Sequence, residues 1–563
     1  MTPKLYVKFI VFTLLGINFL SSQTLSLKVI GETDSATATI DSIGYSTRFE
    51  NYKSLEAEVY TLKNRLEQTG YIDTNLNEFT RVNDSVYNAL FFIGKRIKTI
   101  RISYASDFDT DLLKSIAVIS TNDGSFDIDI SGLEASLNIL NQKIAEQGDP
   151  FSTLQLVDLK KENDQLISAK LSIQRNQKRI IDKIIVKGYE KFPKSYIKRF
   201  LKLEAGNNFN LEGIKEKTKL LENLRFANQI KEPEVLFTKD STTLYLYLEK
   251  RPSNNFDGFL GFGNNENTNK IEFDGYLNLQ LNNNLNFGES LSILYKSDEI
   301  DQQTFDIKTS MPYLFGSPVA LDLGLNIFRK DSTFITTQQQ AKIAYQINAE
   351  HRIGVGINAI NSSNLLDQNT LILNDYKSNY YLLNYNYIRP QFYDPLFPIN
   401  FFLDFTAGFG QRKNDDITQD QNSFRLNAYK IFNLNDRNSI YTRLNGAILT
   451  SDDYLDNELF RFGGINSIRG FEENSLVGNL FGVLNTEYRY RLSSTIYVHS
   501  VLDAAYFENE IVDSKTKLFG FGFGLGLLTK AGLFRLNYSS GKTEGRQFRF
   551  SDSKVHVSLT ASF

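Results

Sequence analysis

The sequence predicts α+β repeats of the β-α-α-β-β kind followed by an all-β, sixteen-stranded antiparallel transmembrane β-barrel. Three features carry that expectation. A short apolar run follows two lysines at the N-terminus, a helical stripe recurs at a fixed spacing in the front half, and period-two alternation takes over after Arg251-Pro252.

Lys4 and Lys8 precede Phe9–Leu20, an apolar run too short to cross the roughly 30 Å hydrocarbon core of a bilayer as a helix. Leu20-Ser21-Ser22 then offers a cleavage site before Gln23, so residues 1–22 are expected to be a signal peptide. No later run reaches the roughly 18 apolar residues of a transmembrane helix, which leaves a secreted protein, a periplasmic protein or a barrel. A net charge of −3 gives no basic field for nucleic acid. Absence of cysteine excludes a disulfide framework, a thiol nucleophile and a lipid-modified N-terminal cysteine. The mean hydropathy of −0.30 is that of a soluble protein, yet a barrel apolar only on its outer face has the same average.

The repeat is read from its helices. Leu55, Ala57, Val59, Leu62, Leu66 and Gly70 recur as Leu133, Ala135, Leu137, Leu140, Ile144 and Gly148, an offset of 133 − 55 = 78 throughout. Another 78 residues lead to Leu211, which opens a third helix running to Phe226. The apolar positions share one stripe, and a glycine ends each of the first two helices. Strands are expected at 97–104, 153–160 and 166–174 in the second unit, with a helix near 109–119. In the third they are expected at 180–186, 234–238 and 242–249, with a short helix at 196–203. The first unit is similar but degenerate, without an evident short helix. The expected domains are 23–94, 95–178 and 179–251, ahead of a barrel spanning 252–563.

In the back half, Val319–Ile327 places Val, Leu, Leu, Leu and Ile on one face and Ala, Asp, Gly and Asn on the other. Sixteen such segments start near Phe256, Ile271, Glu289, Thr304, Val319, Thr333, Arg352, Ser378, Ile399, Ser423, Ser439, Leu480, Thr495, Leu518, Leu533 and Lys554. Tight turns at 348–350, 493–494 and 529–532 contrast with long loops expected near 361–376, 412–422 and 451–479, an asymmetry that fits an outer-membrane barrel.

The longest late loop contains Phe462-Gly463-Gly464-Ile-Asn-Ser-Ile468-Arg469-Gly470-Phe471. This resembles the (V/I)RG(F/Y) loop of the BamA/TamA outer-membrane assembly superfamily, which is shared with two-partner secretion exporters. The resemblance implies a loop folded into the barrel lumen, its arginine meeting acidic residues of the inner wall. Glu487 in Asn485-Thr-Glu487-Tyr-Arg489 and Asp503 in Val501-Leu-Asp503-Ala-Ala505 match the family's two acidic positions, so Arg469 is expected to pair with one or both. Ala505 stands where the family usually has glycine. Pro312-Tyr-Leu-Phe-Gly316 resembles the turn after strand four. Gly520–Gly526 and Gly532–Leu536 resemble strands fourteen and fifteen, and Phe563 resembles the C-terminal aromatic read by the insertion machinery. By the same resemblance the front modules are POTRA-like, and their number is most like the TamA arrangement.

That family implies a function: unfolded outer-membrane or secreted protein clients are received on the periplasmic modules and passed through a lateral seam between the first and last strands. Gly258, Gly261 and Gly263 would weaken the first strand, and the last strand ends at Phe563. A two-partner secretion exporter is the alternative, and a passive porin is a weaker one. The expected location is a bacterial outer membrane with the N-terminal domains in the periplasm. The expected partners are clients, membrane lipid and periplasmic or lipoprotein accessory subunits. No G-x-S-x-G, H-E-x-x-H or Walker A motif points to an enzyme. His351, His499 and His556 are far apart in sequence, and neither metal nor cofactor is expected.

Overall fold

The computed structural model describes residues 24–265, 270–297, 302–366, 372–391, 394–414, 417–529, 532–545 and 553–561, with the side chains of 259–275 and 558–561 left aside. The signal peptide expected at residues 1–22 lies outside the described residues, as does Phe563. The chain divides into two compact units: residues 1–180 with 208–211, and residues 181–207 with 212–563.

The first unit holds two modules. In the first, β1 (Leu25–Gly31) runs parallel to β4 (Val86–Phe92), between β2 (Arg48–Phe49) and β3 (Asn75–Arg81), in the order β2-β1-β4-β3. Two helices cover one face: α1 (Asp34–Ile43) and α2 (Tyr52–Gln68). The expected stripe of α2 is buried at Leu55, Val59, Leu62 and Leu66, and each such side chain contributes about 2 kcal/mol. Asn51 caps α2 by accepting the Ser54 amide at 2.9 Å. Helix α1 is the short helix missing from the sequence reading. Its sequence, DSATATIDSI, buries only Ile40. Ala36 packs so close under Gly31 that a Cβ there would stand 2.5 Å from that of Ala36. A helix held by small residues leaves no apolar stripe to detect.

The second module orders its strands β6-β7-β5-β9-β8: β5 (Thr99–Ser103), β6 (Ser120–Asn122), β7 (Ser125–Asp129), β8 (Thr153–Lys161) and β9 (Leu166–Gln174). Helix α3 (Leu133–Glu146) buries Leu140 and Ile144. The helix expected near 109–119 is a 3-10 stretch at Thr110–Ser115, and the β6–β7 hairpin that follows was not expected. Polar residues disguise that hairpin: Arg101 donates to Asp127 at 2.8 and 2.9 Å across β5 and β7, and Ser120 adds 3.0 Å. The repeat is visible at the helix ends. Gly70 and Gly148 hold φ of +107° and +102°. Their carbonyls accept the amides of Ile97 at 2.8 Å and Arg179 at 2.7 Å, so each helix stop also anchors the chain that follows.

The second unit begins with a smaller module, order β10-β12-β11: β10 (Lys183–Lys187), β11 (Ala227–Phe237) and β12 (Thr242–Lys250). Helix α4 (Leu211–Lys219) gives way to a 3-10 turn at Leu220–Asn223, short of the expected Phe226. A single π-helical turn, Tyr196–Phe200, stands where a short helix was expected.

Sixteen strands then form one antiparallel sheet in sequence order, interrupted only by a loop hairpin. They are β13 (Asn255–Asn265), β14 (Lys270–Asn282), β15 (Ser290–Ser297), β16 (Gln302–Met311), β17 (Val319–Lys330), β18 (Phe334–Gln346), β19 (His351–Asn364), β20 (Tyr376–Pro390), β21 (Ile399–Asn414), β22 (Ile417–Asn433), β23 (Asn438–Thr450), β26 (Leu480–Arg491), β27 (Ile496–Asn509), β28 (Ser514–Thr529), β29 (Gly532–Thr543) and β30 (Ser553–Ala561). The loop hairpin is β24 (Phe460–Phe462) with β25 (Leu476–Gly478). Alternation sets the two faces: Ile353, Val355 and Ile357 are exposed on the outer wall of β19, whereas Asn358 and Ser362 are buried inside. One expected loop is corrected. Residues 412–422 are mostly strand, because β21 continues to Asn414 and β22 begins at Ile417. Their polar side chains pair across the ladder, Gln411 with Asp420 at 2.8 Å, so hydrophilicity there marks a strand beyond the hydrocarbon layer.

Candidate functional site: an arginine clasp in the barrel lumen

The loop between β23 and β26 descends onto the inner wall. Gly463 and Gly464 have φ of +115° and +89°, and Gly470 has +90°, conformations that favour glycine. The wall supplies glycines in return. A Cβ on Gly520 of β28 would stand 2.4 Å from the Arg469 carbonyl oxygen, and one on Gly541 of β29 would stand 2.6 Å from that of Gly470. Backbone therefore lies on backbone, with no room for side chains between. Ile468, fully buried, packs with Phe462, Val483, Ala505 and Leu518, and Phe471 borders this cluster. The methyl group of Ala505, at the position where glycine was expected by resemblance, is thus part of an apolar floor under the loop.

Arg469, 5% exposed, enters the space beside β26 and β27. Its Nε and Nη2 donate to Asp503 at 2.8 and 2.6 Å, its Nη1 donates to Glu487 at 2.5 Å, and its backbone amide donates to Asp503 at 3.0 Å. The two-pronged bond to Asp503 fixes the guanidinium plane as a single contact could not. Strand alternation points both carboxylates inward: Asn485, Glu487 and Asp503 are buried, and Leu484, Tyr488 and Leu502 are exposed outside. Arg489 holds the other oxygen of Glu487 at 2.7 Å, and Asn485 donates to the Ser467 carbonyl at 2.8 Å. The sequence profile of the Omp85 superfamily domain matches residues 259–554, more than half of the chain, and spans strands, loop and clasp alike. The chain belongs to the Omp85 superfamily.

Solved structures agree with that assignment in fold. BamA from Haemophilus ducreyi lacking POTRA domains 1–3 matches with a TM-score of 0.51 at 14% identity, over 83% of this chain and 100% of that one. CdiB from Acinetobacter baumannii matches with a TM-score of 0.50 at 17% identity, over 83% and 90%. CdiB from Escherichia coli matches with a TM-score of 0.50 at 15% identity, over 93% and 98%. No curated protein sequence matches significantly.

This Omp85 barrel carries two further anchors that the sequence reading missed. On β21, Arg412 is 2% exposed and pairs with Asp453 and Glu458 at the start of the same loop. Glu458 also accepts from Gln421 at 2.9 Å, and Asn457 donates to Ser362 and to the Asn374 carbonyl at 2.8 and 2.9 Å. The inward parity of Asp404, Thr406 and Gly408 runs on to Arg412, a signal hidden by the expectation of a loop there. The second anchor is the turn between β20 and β21. Leu396 and Phe397 are buried, Phe397 meets Tyr497 edge-on at 4.8 Å, and Asp394 pairs with Arg491. Arg489 stacks over Tyr441 and Phe397 at 4.0 and 4.5 Å, so this turn reaches the clasp through Glu487.

The third module grips the barrel within the same unit. Asn283 donates to the Tyr189 hydroxyl at 2.8 Å, and Arg199 donates to the Gly316 carbonyl at 2.8 Å. Tyr196 packs edge-on against Tyr313 at 4.8 Å, which places the Pro312–Gly316 turn in this contact. Burial pushes the Tyr196 hydroxyl well above its ordinary pKa.

At the seam, Gly258, Gly261 and Gly263 lie opposite Leu277, Asp274 and Glu272 of β14. Strands β13 and β30 end the sheet and approach each other, and among the described residues no backbone ladder joins them. His499 is buried on the inner face, 3.8 Å from Glu487. Among the described residues no cluster of three His, Asp or Glu side chains is arranged to hold a metal.

Proposed function

We propose that this chain is an outer-membrane protein assembly and translocation factor. It receives unfolded β-rich clients on its periplasmic modules and inserts them through the seam between β13 and β30, in a TamA-like arrangement of three POTRA-like modules and a barrel. The observation that carries the reading is the pair of end strands that, among the described residues, meet without a ladder, in a sheet otherwise hydrogen-bonded strand by strand. An unpaired edge in hydrocarbon is costly, and a client strand that pairs with it satisfies the same donors and acceptors. The membership in the Omp85 superfamily and the likeness to BamA support it. Glu487, Asp503 and the loop around Arg469 hold the lumen side in register while the seam exchanges partners.

The modules offer edges of a restricted kind. Strands β3, β8 and β11 each carry a register shift, between Leu76 and Glu78, between Val157 and Lys160, and from Gln229 to Glu234. Such bulges shorten the run that an extended peptide can pair with, so clients bind there weakly and release readily.

The likeness to the CdiB structures favours one second reading, a two-partner secretion exporter for a dedicated substrate. Depletion followed by an outer-membrane proteome survey separates the two: broad loss of barrel proteins is expected, and loss of one secreted protein alone replaces the first reading by the second. The chain has no native cysteine, so cysteine pairs scanned across 257–259 and 555–559 test the seam directly. Undiminished client insertion with the seam cross-linked overturns lateral opening.

A further inference from the structure

Beneath the clasp, between the loop and the walls of β23, β26, β27 and β29, lies a cavity of about 90 Å³. Arg443, Arg469, Arg489 and Arg535 line it. The carboxylates that answer them are Glu487 and Asp503, and both are already engaged, Asp503 by Arg469 and Glu487 by Arg469 and Arg489. Among the described residues, four guanidiniums against two carboxylates leave two positive charges over. The surplus belongs to Arg443 and Arg535. Arg443 donates to neutral acceptors, Asn427 Oδ1 at 2.9 Å and the Asn466 carbonyl at 2.8 Å. Arg535 Nε is buried with no acceptor among the described residues.

Two uncompensated guanidiniums facing one small cavity are a poor arrangement unless an anion joins them. Their planar forks match the oxygens of a phosphate group. The cavity also has a buried acceptor to fill. Asn485 Nδ2 is committed to the Ser467 carbonyl, which fixes the amide orientation and leaves Asn485 Oδ1 buried without a donor among the described residues. Asn537 Oδ1, also lining the cavity, is in the same condition. A hydrogen phosphate or a phosphate monoester brings anionic oxygens for the arginines and a hydroxyl proton for these amides. Chloride and sulfate bring no such proton.

We propose that this lumenal cavity binds a phosphate-bearing anion between Arg443 and Arg535, either a free phosphate or a lipid phosphomonoester headgroup. The bound group would tie β23 to β29 directly beneath the clasp and stiffen the wall on which the loop rests.

The test uses the full chain in a non-ionic detergent near neutral pH. Inorganic phosphate is titrated calorimetrically, with chloride and sulfate as comparators, and in a second arm the micelles are doped with phosphatidic acid or, as control, phosphatidylcholine. Saturable binding of inorganic phosphate identifies a free ion, and binding of phosphatidic acid alone identifies a headgroup. In either arm the double variant Arg443→Gln/Arg535→Gln is expected to bind at least about tenfold more weakly. Folding of the barrel is checked by its heat-dependent electrophoretic mobility. Should the double variant fail to fold, the single Arg535→Gln, which breaks no ion pair seen here, carries the same comparison. Binding in neither arm, binding matched by chloride and sulfate, or affinity unchanged in the variant overturns the proposal.

Discussion

Replacing Arg469 by alanine tests the clasp most directly. The variant loses three charge-assisted bonds, two to Asp503 and one to Glu487. Glu487 keeps Arg489 as a partner, so the stranded charge is mainly that of Asp503, which is 1% exposed and retains, among the described residues, the amide of residue 469. Removing one partner of a buried ion pair costs about 3–5 kcal/mol. Lumenal water re-solvates part of Asp503, which sets the expectation at the lower end, about 3 kcal/mol, or roughly 150-fold in the ratio of docked to released loop. Hydrogen exchange on the full chain in detergent reads that ratio as protection of residues 463–471 and of the β28–β29 amides beneath them. Protection is expected to fall by about two orders of magnitude in Arg469→Ala. It should recover in part in Arg469→Ala/Asp503→Asn, where the stranded charge is gone. Protection unchanged within about threefold in the single variant would refute the view that this ion pair holds the loop.

Three further outcomes follow from the same structure. Gly541→Ala places a Cβ 2.6 Å from the Gly470 carbonyl, and it is expected to expose the loop to added protease even though Arg469 is intact. Arg412→Leu strands the Glu458 carboxylate, whose side chain is 4% exposed, and is expected to cost about 3 kcal/mol in docking of residues 451–459 while sparing 463–471, a split visible by hydrogen exchange. Asp127 is held below the usual carboxylate range chiefly by the bond from Arg101. Its stabilisation is therefore present above the unfolded carboxylate pKa of about 4 and lost as pH falls through the lower folded value. Protection of β7 should decline on acidification in the native chain, and Asp127→Asn should have lower protection at neutral pH with a weaker acid dependence.

What the sequence revealed followed the strength of the periodic signal. All sixteen barrel strands were legible, because one lipid-facing side chain in every two leaves a mark wherever the strand lies in hydrocarbon. The signal failed where that constraint ends: β22 begins at Ile417 and β28 at Ser514, several residues ahead of the starts expected at Ser423 and Leu518. The same blindness hid Arg412, since an inward arginine on a strand above the membrane has loop-like neighbours. Helix α1 and the β6–β7 hairpin escaped because small or polar residues build them. The residues of the clasp were legible from motif resemblance, whereas Gly541, which accepts the loop backbone, carries no signal until the loop is placed on it.

The distribution of these anchors bears on the proposed lateral opening. On one side of the seam, the turns following β14 and β16 are gripped by the third module through Tyr189, Tyr196 and Arg199. On the other side, the loop braces β26 to β29 from within through Arg469 and the paired glycines, and Glu472 reaches β30 by accepting from Lys554 at 2.8 Å. The loop's far end is tied to β21 by Arg412, and the turn before β21 is tied to β26 and β27 through Arg491 and Phe397. Each wall is therefore cross-braced to something other than its neighbouring strand, and the braces on the two sides of the seam are different bodies. A closed sheet loaded evenly opens where its hydrogen bonding is least. On the proposed reading that is the junction of β13 and β30, which lacks a ladder among the described residues and has no brace crossing it there. On the proposed lateral opening, strain delivered by a client at the third module would bear on the turns after β14 and β16, while the clasp would hold the opposite wall still, and relative motion between the two would concentrate at the seam.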